Sequence, residues 1–228
     1  MIQFFLRGIL FFAFLFESSW AVEDHLFASY EKAYDLPCNL LRSIAYTESG
    51  YKTQSNTVAW PWTIHAEGRG FYCPDKKTAL RLAESFYQKG IHNIDVGCMQ
   101  INLKHHPKAF PNLSAALDPE FNIDYAARYL KQLYQHHQSW SKAVAYYHSK
   151  TPFHYQKYLQ KVNQIHQSLA ASLPHDSKQK LVRFEDYEEN SPPLFRVVPF
   201  SGKSKNTFIK TFAKARSYRQ SLHRPPPK

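Results

Sequence analysis

Apolar residues spaced three and four positions apart recur along most of the chain, and this spacing predicts a mainly α-helical protein. One short helix shows the pattern at Leu40, Leu41, Ile44 and Ala45. Glu48 continues the same apolar stripe, and Gly50 is placed to end the helix directly after it. An ionisable side chain is therefore expected on the buried face of a helix, beside the helix C-terminus.

That position is predicted to raise the pKa of the Glu48 carboxyl group. Removal from water disfavours the charged form, and the partial negative charge at a helix C-terminus repels a carboxylate. A carboxyl group that stays protonated near neutral pH can donate a proton to the leaving oxygen of a glycosidic bond. A structural glutamate at the rim of the helix is the alternative, and for an isolated helix it is the commoner case.

The rest of the pattern predicts further helices around a short β region. Helices are predicted over residues 26–34, from 37 through Glu48, and over 75–90, 119–133, 139 or 141 to 147, and 152–173. Aromatic-rich strands at 60–65 and 71–73 flank turn residues at 67–70 and predict a β-hairpin, with a third strand at 91–96. The aromatic rings of the hairpin suit either stacking on sugars or ordinary core packing.

The chain of 228 residues divides into three parts. Residues 1–21 are typical of a signal peptide, because Arg7 precedes an apolar run too short to span a bilayer, and Ser19 and Ala21 form a small-x-small cleavage pattern. An uncleaved membrane anchor is the alternative. Residues 22–173 have the size and patterning of one domain, and residues 174–228 form a polar tail with a basic end that we expect to be disordered.

The formal net charge of +11 at pH 7 indicates an anionic partner. Nucleic acid, acidic lipid and the acidic polymers of a cell envelope all fit this charge, and export makes nucleic acid the least expected of them. The basic tail is expected to bind an anionic surface or a complex in the envelope, with an inert solvated tail as the alternative.

The three cysteines are Cys38, Cys73 and Cys98, and they allow one disulfide in three alternative pairings. None of them has a second cysteine or a histidine at the spacing typical of metal ligands, so neither a metal site nor a cofactor is predicted.

Four segments, in this order, resemble motifs of the soluble Slt-type lytic transglycosylases, lysozyme-like enzymes that cleave bacterial peptidoglycan. They are Ile-Ala-Tyr-Thr-Glu-Ser-Gly at 44–50, Gly-Cys-Met-Gln-Ile-Asn at 97–102, Asp-Pro at 118–119 with the helix that follows, and Ala-Tyr-Tyr-His at 145–148. The Trp-Pro-Trp segment at 60–62 resembles a sub-branch of that family. The resemblance spans residues 30–162 and implies a mainly α, lysozyme-like α+β domain with a small β-hairpin or sheet.

The resemblance also implies roles for individual residues. Glu48 matches the catalytic acid and base of the family. The residues that match its substrate-binding positions are Ser49, Met99, Gln100, Asn102 and Tyr147. Gln100 is expected to contact substrate or to orient Glu48, and Tyr147 to form a hydrogen bond near the catalytic carboxyl group. Cys98 and His148 depart from the family, which usually has leucine and asparagine there.

The implied reaction is cleavage of the β-1,4 bond between MurNAc and GlcNAc, with formation of a 1,6-anhydromuramyl end. The expected setting is the periplasm, the expected partner is the peptidoglycan glycan strand, and a monomer is expected. A lysozyme-type hydrolase is one alternative, for which Asp95 and Glu67 are the nearby candidates for a second carboxylate. A non-catalytic peptidoglycan-binding module of a secretion system is the other.

Overall fold

The computed structural model describes residues 22–54 and 56–171. The predicted signal peptide at 1–21 and the predicted tail at 174–228 lie outside these residues, so both stay predictions. Every helix of the described ranges falls short of the length or the apolar character needed to cross a membrane.

Helices make up most of the described chain. They are α1 (Asp24–Tyr34), α2 (Leu40–Ser49), α3 (Lys76–Gln88), α4 (Leu113–Ala116), α5 (Pro119–His137), α6 (Trp140–His148) and α7 (Pro152–Ala171). The strands are β1 (Gly50–Lys52), β2 (Thr57–Ala59), β3 (Thr63–Ala66), β4 (Arg69–Tyr72), β5 (Ile94–Val96) and β6 (Ile101–Asn102). A mostly helical domain with small antiparallel sheets confirms the predicted lysozyme-like α+β class.

The hairpin predicted in the aromatic region is present, but its strands have different bounds: β3 covers Thr63–Ala66 instead of 60–65, and β4 covers Arg69–Tyr72 instead of 71–73. β3 and β4 pair through a two-residue turn at Glu67 and Gly68, both with positive φ, which is the conformation of a tight hairpin turn. The first strand begins at Thr63 instead of residue 60, because the Thr63 hydroxyl donates to the Trp60 carbonyl at 2.9 Å and closes a turn there. The complete sheet has the order β4-β3-β5-β6, and the third predicted strand is confirmed only over Ile94–Val96.

Helix α2 begins three residues later than the predicted start at Pro37, and a residue of α1 holds its first turn. The Glu31 carboxylate accepts hydrogen bonds from the backbone N–H of Asn39 at 2.8 Å and of Leu41 at 2.9 Å. Asn39 has a φ of 62°, a left-handed conformation that precedes the helix. Burial raises the pKa of Glu31 to about 7 even though these backbone bonds favour its charged form.

Helix α2 runs directly into strand β1 at Gly50, as the predicted stop requires. A side chain at this position would collide with the carbonyl oxygen of Tyr46, one turn earlier in the helix, so glycine permits the close approach. Strand β1 then pairs with β2, Gly50 opposite Ala59, and the Trp60 N–H donates to the Ser49 carbonyl at 3.2 Å. The β1-β2 ribbon, which the sequence pattern did not predict, is therefore attached to the end of α2.

Two hydrophobic cores meet at the end of α2. The buried stripe predicted on α2 lies in the helical core, formed with α1, α5, α6 and α7. The second core lies between the four-stranded sheet and α3. Cys98 and Met99 belong to the helical core although they connect strands of the sheet, so the turn between β5 and β6 joins the two cores.

Candidate active site

Glu48 lies in the last turn of α2, where the helix meets the sheet. Its Oε1 atom accepts a 2.7 Å hydrogen bond from the hydroxyl group of Tyr158, which is contributed by α7. Glu48 is partly buried, and Tyr158 is buried, with 7% of its surface exposed. The carboxyl group thus lies between the sheet and the last helix, with one oxygen held by a phenol.

The surroundings raise the pKa of Glu48 to about 7. Loss of hydration is the largest cause, because the carboxylate has little water to stabilise it. The Tyr158 hydrogen bond opposes this effect by stabilising the charged form. The raised pKa predicted from the helix pattern is confirmed, and near neutral pH both protonation states are populated.

Two charged residues adjust this balance in opposite directions. The charge of Asp95, on the inner strand β5, raises the pKa of Glu48. The Lys161 ammonium group on α7 lowers it, and the same group donates a 3.0 Å hydrogen bond to the Thr47 carbonyl at the end of α2. A cation at a helix C-terminus also compensates the partial negative charge of its free carbonyls.

The turn of residues 97–100 lies against the end of α2, and a buried amide connects it to α5. Asn122, on α5, accepts a 2.8 Å hydrogen bond from the Met99 N–H and donates to the Val96 and Ala116 carbonyls at 3.0 Å each. Gly97 has a φ of +81°, and a side chain there would collide with the Asn122 amide. The glycine is therefore required both by its conformation and by the close approach of α5.

Ser49 and Met99, two predicted substrate-binding residues, are fully buried. The Ser49 hydroxyl donates to the Cys98 carbonyl at 2.8 Å and lies 3.1 Å from the Ala45 carbonyl. The Met99 carbonyl accepts a 2.8 Å hydrogen bond from the Tyr147 hydroxyl of α6. These bonds tie the end of α2, the turn and α6 into one unit around Glu48.

Gln100 and Asn102 face the sheet side of the site. The Gln100 side-chain amide donates to the Gly97 carbonyl at 2.8 Å and to the Thr63 carbonyl at 3.1 Å. The Asn102 amide donates to Asp95 at 2.7 Å and to the Asn93 side chain at 2.9 Å. Gln100 therefore connects the turn to β3, whereas Asn102 orients the Asp95 carboxylate.

The tyrosine bonded to Glu48 is Tyr158, which the sequence analysis did not single out. Tyr147, which we expected to form a hydrogen bond near the carboxyl group, donates to the Met99 carbonyl, and the charge of Glu48 contributes to its raised pKa after the larger effect of burial. His148, one of the departures from the family, stacks on Tyr158 with 4.2 Å between ring centroids and 5° between planes. Tyr158 lies at one of the regularly spaced apolar positions of α7, so its place in the sequence is typical of an ordinary core residue.

No disulfide joins any two of the three cysteines, so none of the three pairings is formed. Cys98 is fully buried, and burial raises the pKa of its thiol. Its Sγ atom lies 3.6 Å from the Asn122 side-chain oxygen. A thiol with this burial acts as a small apolar side chain beneath the turn. Among the described residues, His, Cys, Asp and Glu form no group of three or more able to hold a metal ion.

A comparison with models of protein families identifies the family of the chain. The model of the transglycosylase SLT domain matches residues 25–168, more than half of the chain, which confirms the family resemblance of the sequence motifs. No curated protein and no solved structure has significant similarity to the chain. The assignment to the Trp-Pro-Trp sub-branch stays a prediction.

Proposed function

The chain belongs to the transglycosylase SLT domain family, which acts on peptidoglycan as lytic transglycosylases do, and we propose the specific reaction that it catalyses. The protein cleaves the β-1,4 bond between MurNAc and GlcNAc and leaves a 1,6-anhydromuramyl end. The observation that supports this proposal is the Glu48 carboxyl group, which has a pKa of about 7 and a hydrogen bond from Tyr158.

In the proposed mechanism Glu48 acts first as an acid and then as a base. The protonated carboxyl group donates its proton to the glycosidic oxygen, and the bond between that oxygen and the anomeric carbon of MurNAc breaks. The resulting carboxylate removes the proton from the C6 hydroxyl of the same MurNAc, whose oxygen forms a new bond to the anomeric carbon. One proton passes from the C6 oxygen to the leaving oxygen, and no water is consumed.

A pKa of about 7 suits both halves of this cycle. A much lower value would leave Glu48 without a proton to donate, and a much higher one would leave a proton that is hard to release. Tyr158 and Lys161 stabilise the carboxylate that exists between the two proton transfers. The substrate's acetamido group stabilises the positive anomeric centre, a role that many glycosidases give to a second carboxylate.

The other site residues divide into positioning and substrate-facing roles. Because the side chains of Ser49 and Met99 are buried, we assign them to positioning the end of α2 against the turn. Gln100 and Tyr147 are only partly buried and are the proposed glycan contacts. Asn102 acts through the Asp95 carboxylate that it holds.

Lysozyme-type hydrolysis is the second candidate function, and Asp95 is the observation that favours it. The Asp95 carboxylate accepts a hydrogen bond from Asn102, and the Nδ1 atom of His65 lies 3.4 Å from it. The negative charge of Asp95 raises the pKa of Glu48. Such a carboxylate could stabilise the anomeric cation while water attacks. Glu67, the other carboxylate considered, is exposed in the hairpin turn.

Product analysis separates these functions. Purified peptidoglycan is digested with the protein, and the released fragments are analysed by mass spectrometry. Transglycosylation gives anhydro ends, one water lighter than the reducing ends produced by hydrolysis. The Glu48→Gln variant should release neither, and Glu84→Gln, which changes an exposed glutamate of α3, is the matched control. Release of fragments by Glu48→Gln at the parent rate would refute the assignment of Glu48.

We also propose the periplasm as the site of action and residues 22–173 as the catalytic unit. Peptidoglycan lies outside the cytoplasm, and the predicted signal peptide would deliver the chain there. The tail would hold the enzyme near an envelope or secretion complex. Binding of the protein without the tail to envelope fractions would test this role.

A further inference from the structure

Three aromatic side chains form an exposed cluster next to Glu48 that belongs to neither hydrophobic core. We call Tyr51, Trp60 and Tyr72 the aromatic patch. Tyr51 is 41% exposed and Tyr72 is 46% exposed, and Trp60 is half-buried between them and the domain. Among the described residues, the only other large hydrophobic side chain with comparable exposure is Phe153, on α7.

The patch is attached to the catalytic end of α2 by the backbone. Tyr51 is three residues after Glu48, in the strand that continues the helix. The Trp60 N–H donates to the Ser49 carbonyl at 3.2 Å, and the Tyr72 hydroxyl donates to the Gly50 carbonyl at 3.3 Å. The patch therefore surrounds the backbone that leaves the end of α2, one to three residues after Glu48.

The rings of the patch are held in defined orientations. The Tyr51 ring centroid lies 5.1 Å from that of Trp60 and 5.2 Å from that of Tyr72, with interplanar angles of 44° and 52°. The Trp60 indole N–H donates to the Cys73 carbonyl at 2.7 Å. Rigid rings lose little conformational entropy when a ligand stacks on them, so a surface of this kind is prepared for binding.

Stability alone does not account for the exposure of these rings. A cluster whose role was to attach the hairpin to β1 would gain most by covering its aromatic surface. Tyr51 and Tyr72 instead leave more than two fifths of their surface in contact with solvent. Sugars of a β-1,4-linked glycan have apolar C–H faces, which stack on aromatic rings. Their polar edges can lie beside the tyrosine hydroxyl groups.

We propose that the aromatic patch is a glycan-binding subsite, on which N-acetylhexosamine units of the strand stack on the β1 side of Glu48. This inference rests on the proposed function, since it extends the path of the same glycan. Because the rings are tilted relative to one another, neighbouring sugars of the strand stack on rings of different orientation. The subsite increases affinity for long strands over short ones.

The test measures binding without cleavage, in the Glu48→Gln background. Dissociation constants for β-1,4-linked N-acetylglucosamine oligomers of increasing length are determined by calorimetry. Affinity should rise with length in this background, and Tyr72→Ala should weaken the binding of the longest oligomers about threefold to tenfold. Tyr72→Phe keeps the ring but not the bond to Gly50, and it should retain the affinity.

Further variants and outcomes separate the inference from its premise. Tyr51→Ala provides the same test if Tyr72→Ala does not fold, and Phe153→Ala is the control for loss of an exposed aromatic ring. Equal losses in Tyr72→Ala and Phe153→Ala, equal losses in Tyr72→Ala and Tyr72→Phe, or no loss in the alanine variants of the patch would overturn the inference. Absence of binding at every length would overturn the proposed function instead.

Discussion

The Glu48→Gln substitution should stabilise the folded domain at neutral and alkaline pH while it abolishes activity. Glutamine has nearly the shape of glutamate, but it is never charged in the partly buried site. The pKa of Glu48 is about 7 in the folded protein, against an ordinary value of 4.5. Because one pKa unit corresponds to about 1.4 kcal/mol, the difference corresponds to about 3 kcal/mol.

The sign of the effect follows from proton binding. The folded state holds the Glu48 proton more tightly than the unfolded state, so this group favours folding most below pH 4.5, and its contribution is lost as pH rises through about 7. The parent should therefore lose about 2 to 3 kcal/mol more than Glu48→Gln between about pH 5 and about pH 8. Glu31 has a similarly raised pKa, but it is present in both proteins and its effect cancels.

Urea unfolding at the two pH values measures this difference, with Glu84→Gln as the exposed control. In thermal unfolding, the gap between variant and parent should widen by about 5 to 10 °C from the acidic to the alkaline condition. A constant gap across this pH range would refute the reasoning, because it would show that the Glu48 carboxylate is as well solvated in the folded protein as in the unfolded chain.

Other substitutions test the surroundings of Glu48. Tyr158→Phe removes the hydrogen bond to the carboxylate, so the rate of peptidoglycan cleavage should fall about 10-fold to 100-fold. The alkaline limb of the pH-rate profile should move to higher pH, because this bond lowers the pKa of Glu48. An unchanged profile would contradict this role. Lys161→Met removes a cation that lowers the pKa of Glu48, so the alkaline limb should move in the same direction, and a shift to lower pH would exclude the assigned role. Gly97→Ala should lower the free energy of unfolding by about 2 kcal/mol or more, measured in urea, because it combines a left-handed φ with a collision against α5. Gly68→Ala is its control, with a similar φ but open space, and equal losses in the two variants would show that the collision is relieved.

The position of Glu48 could be predicted because the relevant signals are local. The apolar stripe of α2 and the glycine that ends the helix lie within about three turns of the residue. The same holds for the cap of α3, where the Asp75 side chain accepts a 2.6 Å hydrogen bond from the Thr78 N–H as its sequence position suggests. Periodicity and capping are properties of one segment, so a single sequence is enough to find them.

The partners of Glu48 could not be predicted in the same way. Tyr158 lies 110 residues further along the chain, and its spacing on α7 is equally typical of core packing. The amide of Asn122 that holds the turn, and the Glu31 carboxylate that holds the start of α2, also act across helix boundaries. Sequence periodicity shows which face of a helix is covered, but it does not show which side chain of another helix covers it.

A carboxyl group lies at each end of α2, one from α1 at its start and one from α2 itself at its end. Glu31 at the N-terminal end and Glu48 at the C-terminal end both have pKa values of about 7. A rise in pH through that range ionises both groups, so the helix that carries the proposed catalytic acid loses the proton of that acid and part of its conformational stability. At mildly acidic pH the domain therefore has both a protonated Glu48 carboxyl group and its higher conformational stability.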